Sequence, residues 1–130
     1  MYPTNWFDLP TVDLSRAVTF YEAMLGTTLR RYPEGESGLP MAVFPYEMGY
    51  PSGCLVQNPK LSPPKDGTGA VLYFDTRSAP GGLDACVQRA AAAGAVVINA
   101  RIDIGEHGVI AHLKDSEGNL IGLHAYPASA

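Results

Sequence analysis

The chain has 130 residues, of which 46% are hydrophobic and 17% charged, and its formal net charge is −4. This composition is that of a folded protein rather than a disordered one, and the length fits one compact domain. Acidic and basic residues are dispersed, which argues against nucleic acid as a partner, because phosphate backbones are bound by clustered lysine and arginine. No apolar run approaches the roughly 20 residues that cross a bilayer, so we expect no membrane partner.

Two features of the sequence predict the compartment. Residues 1–6 lack the basic and then apolar pattern of a signal peptide. Cys54 and Cys86 are the only cysteines, and neither belongs to a CxxC motif. We therefore expect a reduced, cytoplasmic protein without a disulfide framework.

The first predicted element is a strand over residues 5–9, because large apolar and polar side chains alternate there. The alternation places Phe7 and Leu9 on one face of the strand, and Trp6 and Asp8 on the other. An acid two residues after a tryptophan on the same face marks a candidate binding surface.

An amphipathic helix is predicted over Leu14–Leu25, with Asp13 as its N-cap and Gly26 at its C-terminal end. Apolar residues recur at helical spacing and form its buried stripe, namely Ala17, Phe20, Tyr21 and Met24. Three further strands are predicted near residues 28–32, 40–45 and 53–57, separated by turns rich in glycine and proline.

The same order of elements then repeats. A strand over 71–76 is followed by a helix over 83–93 that ends at Gly94, and by strands near 95–100, Val109–Lys114 and 120–124. The organisation predicted is a first β-α-β-β-β unit over 1–58, a linker over 59–69, and a second unit over 70–130. The fold class is α+β, and pairing of the two units would leave a cleft.

Two motifs resemble those of a known family. The segment over 13–26, DLSRAVTFYEAMLG, and the segment over 115–124, DSEGNLIGLH, lie in order near the two ends of the chain. They are similar to the hallmark segments of the vicinal-oxygen-chelate superfamily, which includes glyoxalases, bleomycin-resistance proteins and extradiol dioxygenases. The resemblance implies two units that pair into a curved sheet around a cleft, and a homodimer. A fold shared by so many reactions does not specify one of them.

The resemblance also implies four metal-ligand positions, one on the first and one on the last strand of each unit. In this chain the positions fall on Trp6, Val71 and Gly122, and near Val56. None of these side chains offers an oxygen or an imidazole nitrogen to a metal. A shift in the alignment near Val56 would bring in Cys54 or Gln57, and one ligand does not hold a metal. We therefore expect no cofactor, with a divalent metal as the less favoured alternative.

Strand alternation predicts which polar side chains share the cleft. In the last hairpin, His112 is expected opposite Gly122, with His124 diagonal to it. As candidate acid–base residues we take Asp8, Asp75 and His124. As candidate ligand contacts we take Trp6, Tyr73, His112, Tyr46 and Met48, the last two in an apolar flap. A structural role is the alternative for each: hydrogen bonding for the acids and histidines, and wall or dimer packing for the others.

Three hypotheses of function follow. The leading one is a glyoxalase-like protein that binds a small, partly apolar organic molecule without the metal. The second is a metal-dependent lyase or isomerase whose ligands have moved to His112, His124 and one aspartate. The third is a drug-sequestering resistance protein that catalyses no reaction.

Overall fold

The computed structural model describes residues 4–32, 38–63 and 69–127. The first unit contains β1 (Asp8–Pro10), α1 (Leu14–Leu25), β2 (Arg30–Tyr32), β3 (Met41–Val43) and β4 (Cys54–Val56). Its four strands form one sheet in the order β1-β4-β3-β2. The β1–β4 pair is parallel and the other two pairs are antiparallel.

The second unit repeats this arrangement. It contains β5 (Leu72–Asp75), α2 (Gly82–Ala92), β6 (Val96–Asp103), β7 (Val109–Lys114) and β8 (Leu120–Ala125), with a short 3₁₀ helix, Gly105–His107, before β7. The sheet order is β5-β8-β7-β6, again with the first pair parallel. The predicted α+β fold of two β-α-β-β-β units is therefore confirmed.

The predicted ends of α1 are confirmed. The Asp13 carboxylate accepts a hydrogen bond from the backbone N–H of Arg16 at 3.0 Å, which satisfies one of the unpaired donors of the first turn. Gly26 ends the helix with φ of 65°, a left-handed conformation that a residue with a Cβ rarely adopts. Several strands are shorter than the apolar runs that predicted them, whereas β6 continues to Asp103 through two irregularities of register.

Both units pack onto one shared core. Four aromatic rings meet at its centre, with centroids 5.2–5.9 Å apart, and they come from both units: Phe7, Tyr21, Phe44 and Phe74. Helices α1 and α2 contact each other beside these rings. Each sheet thus turns its helix-covered face toward the common core, and the opposite face, here called the open face, lies outside it.

The closing hairpin fastens the second unit to the start of α1. Glu117, in the turn between β7 and β8, accepts hydrogen bonds from the backbone N–H groups of Val12 and Asp13 at 2.8 and 2.7 Å. Asp115 accepts a hydrogen bond from the buried Tyr21 hydroxyl. The two motifs that carried the resemblance are therefore in direct contact. None of the helices in the described ranges is long and apolar enough to span a bilayer.

Candidate functional site

A cavity of about 650 Å³ lies on the open face of the first sheet. Strand residues make part of its lining, and residues of the segment between β3 and β4 make most of the rest. Aromatic, methionine and valine side chains dominate the lining, which comprises Trp6, Tyr32, Met41, Val43, Tyr46, Glu47, Met48, Gly49, Tyr50 and Ser52. Trp6, Tyr46 and Met48 were predicted as ligand contacts, and the structure brings them together here.

Strand register explains why these strand residues share one face. Val43 pairs with Cys54, and Met41 pairs with both Val56 and Tyr32. Side chains two residues apart on a strand point the same way, so all five lie on the open face. They form a small apolar cluster separate from the main core. Tyr32, Met41 and Val43 were not predicted as site residues, although alternation along β2 and β3 carried the signal.

The lining segment between β3 and β4 exposes apolar side chains to water. Met48 is 86% exposed, and Tyr46 and Tyr50 are about half exposed. A hydrogen bond from the N–H of Tyr50 to the carbonyl of Glu47 closes a turn at its tip. Neighbouring apolar side chains that stay exposed beside a cavity are typical of a binding surface.

Asp8 lies beside the cavity wall and links two side chains of the open face. Its Oδ1 accepts a hydrogen bond from the indole Nε1–H of Trp6 at 3.1 Å and one from the thiol of Cys54 at 3.3 Å. The parallel pairing of β1 with β4 sets Asp8 directly beside Cys54. The shared face of Trp6 and Asp8 is confirmed, while the thiol contact was not predicted, because it depends on which strand pairs with β1.

The Cys54 thiol is a poor nucleophile at neutral pH. Burial raises its pKa to about 12. The adjacent Asp8 carboxylate also raises this pKa, because it accepts a hydrogen bond from the thiol and would repel the charge of a thiolate. Cys86 on α2 is also buried, and burial raises its pKa as well. Neither cysteine therefore supports thiolate chemistry.

A second group of polar residues lies on the open face of the second sheet. The Tyr73 hydroxyl is 2.7 Å from Nε2 of His112, and the Asn99 amide nitrogen is 3.3 Å from Nδ1 of the same ring. Gly122 pairs with both Tyr73 and His112, as predicted for the histidine. A Cβ at Gly122 would overlap the Tyr73 ring, so the glycine makes room for that ring.

The remaining predicted residues are held by local contacts. The Asp75 carboxylate forms an ion pair with Arg77 at 2.6 Å. Partial burial alone would raise the pKa of Asp75, but the hydrogen bonds and charge of Arg77 outweigh it, and the pKa lies below its usual range. Nε2 of His124 is 2.7 Å from the carbonyl oxygen of His107, and its ring packs edge-on against Tyr126.

The structure thus divides the predicted site residues between the two sheets. Trp6, Tyr46 and Met48 line the cavity, with Asp8 bonded to Trp6. Tyr73, Asp75, His112 and His124 all lie on the open face of the second sheet, and the described residues that line the cavity come from the first unit alone. Their roles in binding and proton transfer stay predictions.

The residues at the positions implied for a metal do not fit one. The indole N–H of Trp6 is hydrogen-bonded to Asp8. Gly122 has no side chain, and the side chain of Val71 is apolar. Gln57, the alternative near Val56, uses its carbonyl oxygen to accept the N–H of Leu14 at 2.9 Å. Among the described residues, no three side chains of histidine, cysteine, aspartate or glutamate come together as a ligand group.

Residues 4–123 match the model of the family described as the Glyoxalase/Bleomycin resistance protein/Dioxygenase superfamily. The chain belongs to this family, which confirms the resemblance of the two motifs. The match covers both units and the contact between them.

Individual relatives add detail. The chain is 29% identical over 119 residues to “Putative glyoxylase CFP32” of Mycobacterium tuberculosis, a match over 92% of this chain and 44% of that protein. It therefore spans less than half the length of that relative. A hypothetical protein, SA1046 from S. aureus, superposes with a TM-score of 0.68 at 19% identity, over 96% of this chain and 95% of the other. TnmS3, an antibiotic binding protein from Streptomyces sp. CB03234, superposes with a TM-score of 0.65 at 25% identity, over 97% of both chains.

Proposed function

We propose that this protein binds a compact, partly aromatic organic molecule in the cavity of the first sheet, without a bound metal. The observation that carries the proposal is the cavity itself, in which Trp6 stands at a position where the family would place a metal ligand. A flat indole ring there occupies the volume of an ion and offers a face on which a planar group can stack.

The size and lining of the cavity support this function. A volume of about 650 Å³ lies within the roughly 300–1,000 Å³ of small-molecule sites, which are mostly apolar with a few polar groups. Here the polar groups include Asp8 beside Trp6, and Ser52 and Glu47 at the lining. A bound molecule would bury part of the exposed apolar surface of Tyr46 and Met48, which would favour binding.

We favour binding without catalysis over a lyase or isomerase reaction. Asp75 and His124 lie on the second sheet and do not line the cavity, and Asp75 is paired with Arg77 there. Asp8 is the one candidate acid–base residue beside it. The likeness to the antibiotic binding protein TnmS3 supports sequestration of a drug-like molecule.

We also propose that the protein is a cytoplasmic homodimer. β6 is the outer strand of its sheet, and its Val96 and Ile98 side chains are 62% and 50% exposed. An unpaired edge with exposed apolar side chains favours association with a second copy. Light scattering at micromolar concentration should give twice the 13.8 kDa chain mass, and the chain mass alone would contradict the dimer.

A ligand screen tests the binding proposal. Antibiotics and metabolites are screened by thermal shift, and each hit is titrated while the emission of Trp6, the sole tryptophan, is recorded. Binding should quench or shift this emission, and Trp6→Ala, titrated by thermal shift because it has no tryptophan, should lose affinity. Tyr73→Phe is the matched control, because it alters an aromatic residue on the other sheet. A hit that leaves the emission unchanged and loses affinity only in Tyr73→Phe would place the site on the second sheet.

A further inference from the structure

We propose that the cavity selects organic cations, such as an aromatic or alkyl ammonium, over neutral and anionic molecules of the same shape. The inference rests on the proposed binding function and adds the charge of the ligand. Three observations carry it: the number of aromatic rings around the cavity, the presence of two carboxylates that form no ion pair with a described residue, and the position of Arg30.

Aromatic rings surround the space that a ligand would occupy. Trp6, Tyr32, Tyr46 and Tyr50 all line the cavity. The face of an aromatic ring carries negative potential and attracts a cation within about 6 Å of its centroid, most strongly where water is excluded. Tyr32 shows this directly, because the Arg30 guanidinium lies 5.1 Å from its ring centroid.

Two carboxylates accompany these rings. Oδ1 of Asp8 accepts the hydrogen bonds of Trp6 and Cys54, and its Oδ2 accepts none from the described residues. Glu47 lines the cavity and belongs to the segment between β3 and β4. Neither carboxylate forms an ion pair with any residue in the described ranges, so both are available to a cationic ligand.

Arg30 lies on the same face of the first sheet, on the outer strand β2, at the opposite edge from Asp8. Asp8 pairs with Cys54, Cys54 with Val43, and Val43 with Arg30. Three strand spacings therefore separate Asp8 from Arg30. At roughly 4.8 Å per spacing the backbones of the two residues are roughly 14 Å apart. None of the described residues that line the cavity is lysine, arginine or histidine. The end of the cavity at Trp6 is therefore negative.

Asp8→Asn removes the negative charge of Asp8 and keeps its two hydrogen bonds. The carbonyl oxygen of an asparagine accepts the same two hydrogen bonds from Trp6 and Cys54, so the wall of the cavity is kept while its negative charge is removed. Asp84→Asn is the matched control. It removes one negative charge from α2, where Asp84 pairs with Arg101 at 3.0 Å, outside the cavity.

Three probes of one shape test the inference: phenyltrimethylammonium, its neutral isostere tert-butylbenzene, and the anion benzenesulfonate. Their dissociation constants are measured from Trp6 emission in the unaltered protein and in Asp8→Asn, Asp84→Asn and the Asp8→Asn/Glu47→Gln double variant. We expect the cation to bind about tenfold more tightly than tert-butylbenzene, with the aromatic rings and the two carboxylates each contributing about threefold. The ratio should fall to about threefold in the double variant, which keeps the rings, to an intermediate value in Asp8→Asn, and stay unchanged in Asp84→Asn.

The outcomes distinguish the inference from the function on which it rests. Equal or tighter binding of tert-butylbenzene overturns the cation preference and leaves the binding function standing. Tightest binding of benzenesulfonate overturns the preference in favour of an anion held by Arg30. A preference of undiminished size in the double variant overturns the role assigned to the carboxylates. Failure of all three probes to affect Trp6 emission or thermal stability overturns the cavity as a site, and the inference with it.

Discussion

Replacement of Glu117 by glutamine should destabilise the protein more than any exposed charge removal. The Glu117 side chain is fully buried. Its Oε1 accepts the N–H groups of Val12 and Asp13, and its Oε2 accepts Nε–H of Arg16 at 2.8 Å and the hydroxyl of Ser116 at 2.9 Å. In Glu117→Gln one carboxylate oxygen becomes an NH₂ group. At the position of Oε2 this NH₂ donor would face the Nε–H donor of Arg16.

The magnitude follows from the two partly buried contacts with backbone N–H groups. A hydrogen bond to a charged group contributes about 1.5–3 kcal/mol and a neutral one about 0.5–1.5 kcal/mol, so the loss of charge costs about 1 kcal/mol at each. A negative charge at the N-terminus of α1 adds about 0.3–1 kcal/mol. The Arg16 guanidinium is 53% exposed, so solvent screens that ion pair. The expected loss in free energy of unfolding is about 2–3 kcal/mol.

Urea unfolding followed by circular dichroism measures this loss, with Asp84→Asn as the exposed control, for which we expect less than about 1 kcal/mol. The loss should also depend on pH. Burial alone would raise the pKa of Glu117, but the hydrogen bonds from Arg16, Asp13, Ser116 and Val12 outweigh it and lower the pKa. The stabilisation is therefore present above the unfolded pKa of about 4.3 and disappears as pH falls through the folded value. A loss at pH 7 no larger than that of Asp84→Asn would refute this account of the hairpin.

Three further predictions concern single positions. Gly108→Ala should cost several kcal/mol more than Gly105→Ala in urea unfolding: both glycines have positive φ, but only at Gly108 would a Cβ overlap the carbonyl oxygen of Ala125. Equal losses would contradict the overlap. Gly122→Ala should displace the Tyr73 ring and break its contact with His112, visible as a changed His112 imidazole signal in NMR, and an unchanged signal would show that the ring adapts. Cys54 should resist iodoacetamide at pH 8 in the folded protein, because its pKa is about 12, and it should react faster in Asp8→Asn. Rapid alkylation of Cys54 in the unaltered protein would refute the raised pKa.

Local signals predicted the helices and the succession of strands along the chain well. Asp13 and Gly26 mark the ends of α1 because capping depends on residues close in sequence. The register of the last hairpin followed from its turn, so His112 lies opposite Gly122 as expected. The extension of β6 to Asp103 was missed, because its irregular register with β7 disturbs the alternation on which strand prediction depends.

The candidate site was less predictable because it depends on contacts between distant segments. Alternation placed Trp6 and Asp8 on one face, but only the parallel pairing of β1 with β4 brings Cys54 to them. Alternation also placed the polar residues of the second unit on one face, yet it does not say whether the two open faces meet. The common core forms from the helix-covered sides, and the cavity is lined by the first unit.

A crystal structure of the protein with a confirmed small-molecule ligand is the most direct test of the central claim that the first sheet carries the binding site. The account predicts density for the ligand against the Trp6 ring, covered by Tyr46 and Met48, with its polar or charged group toward Asp8 and no coordinated metal. Ligand density over Tyr73 and His112 of the second sheet, with the Trp6 cavity empty, would contradict it.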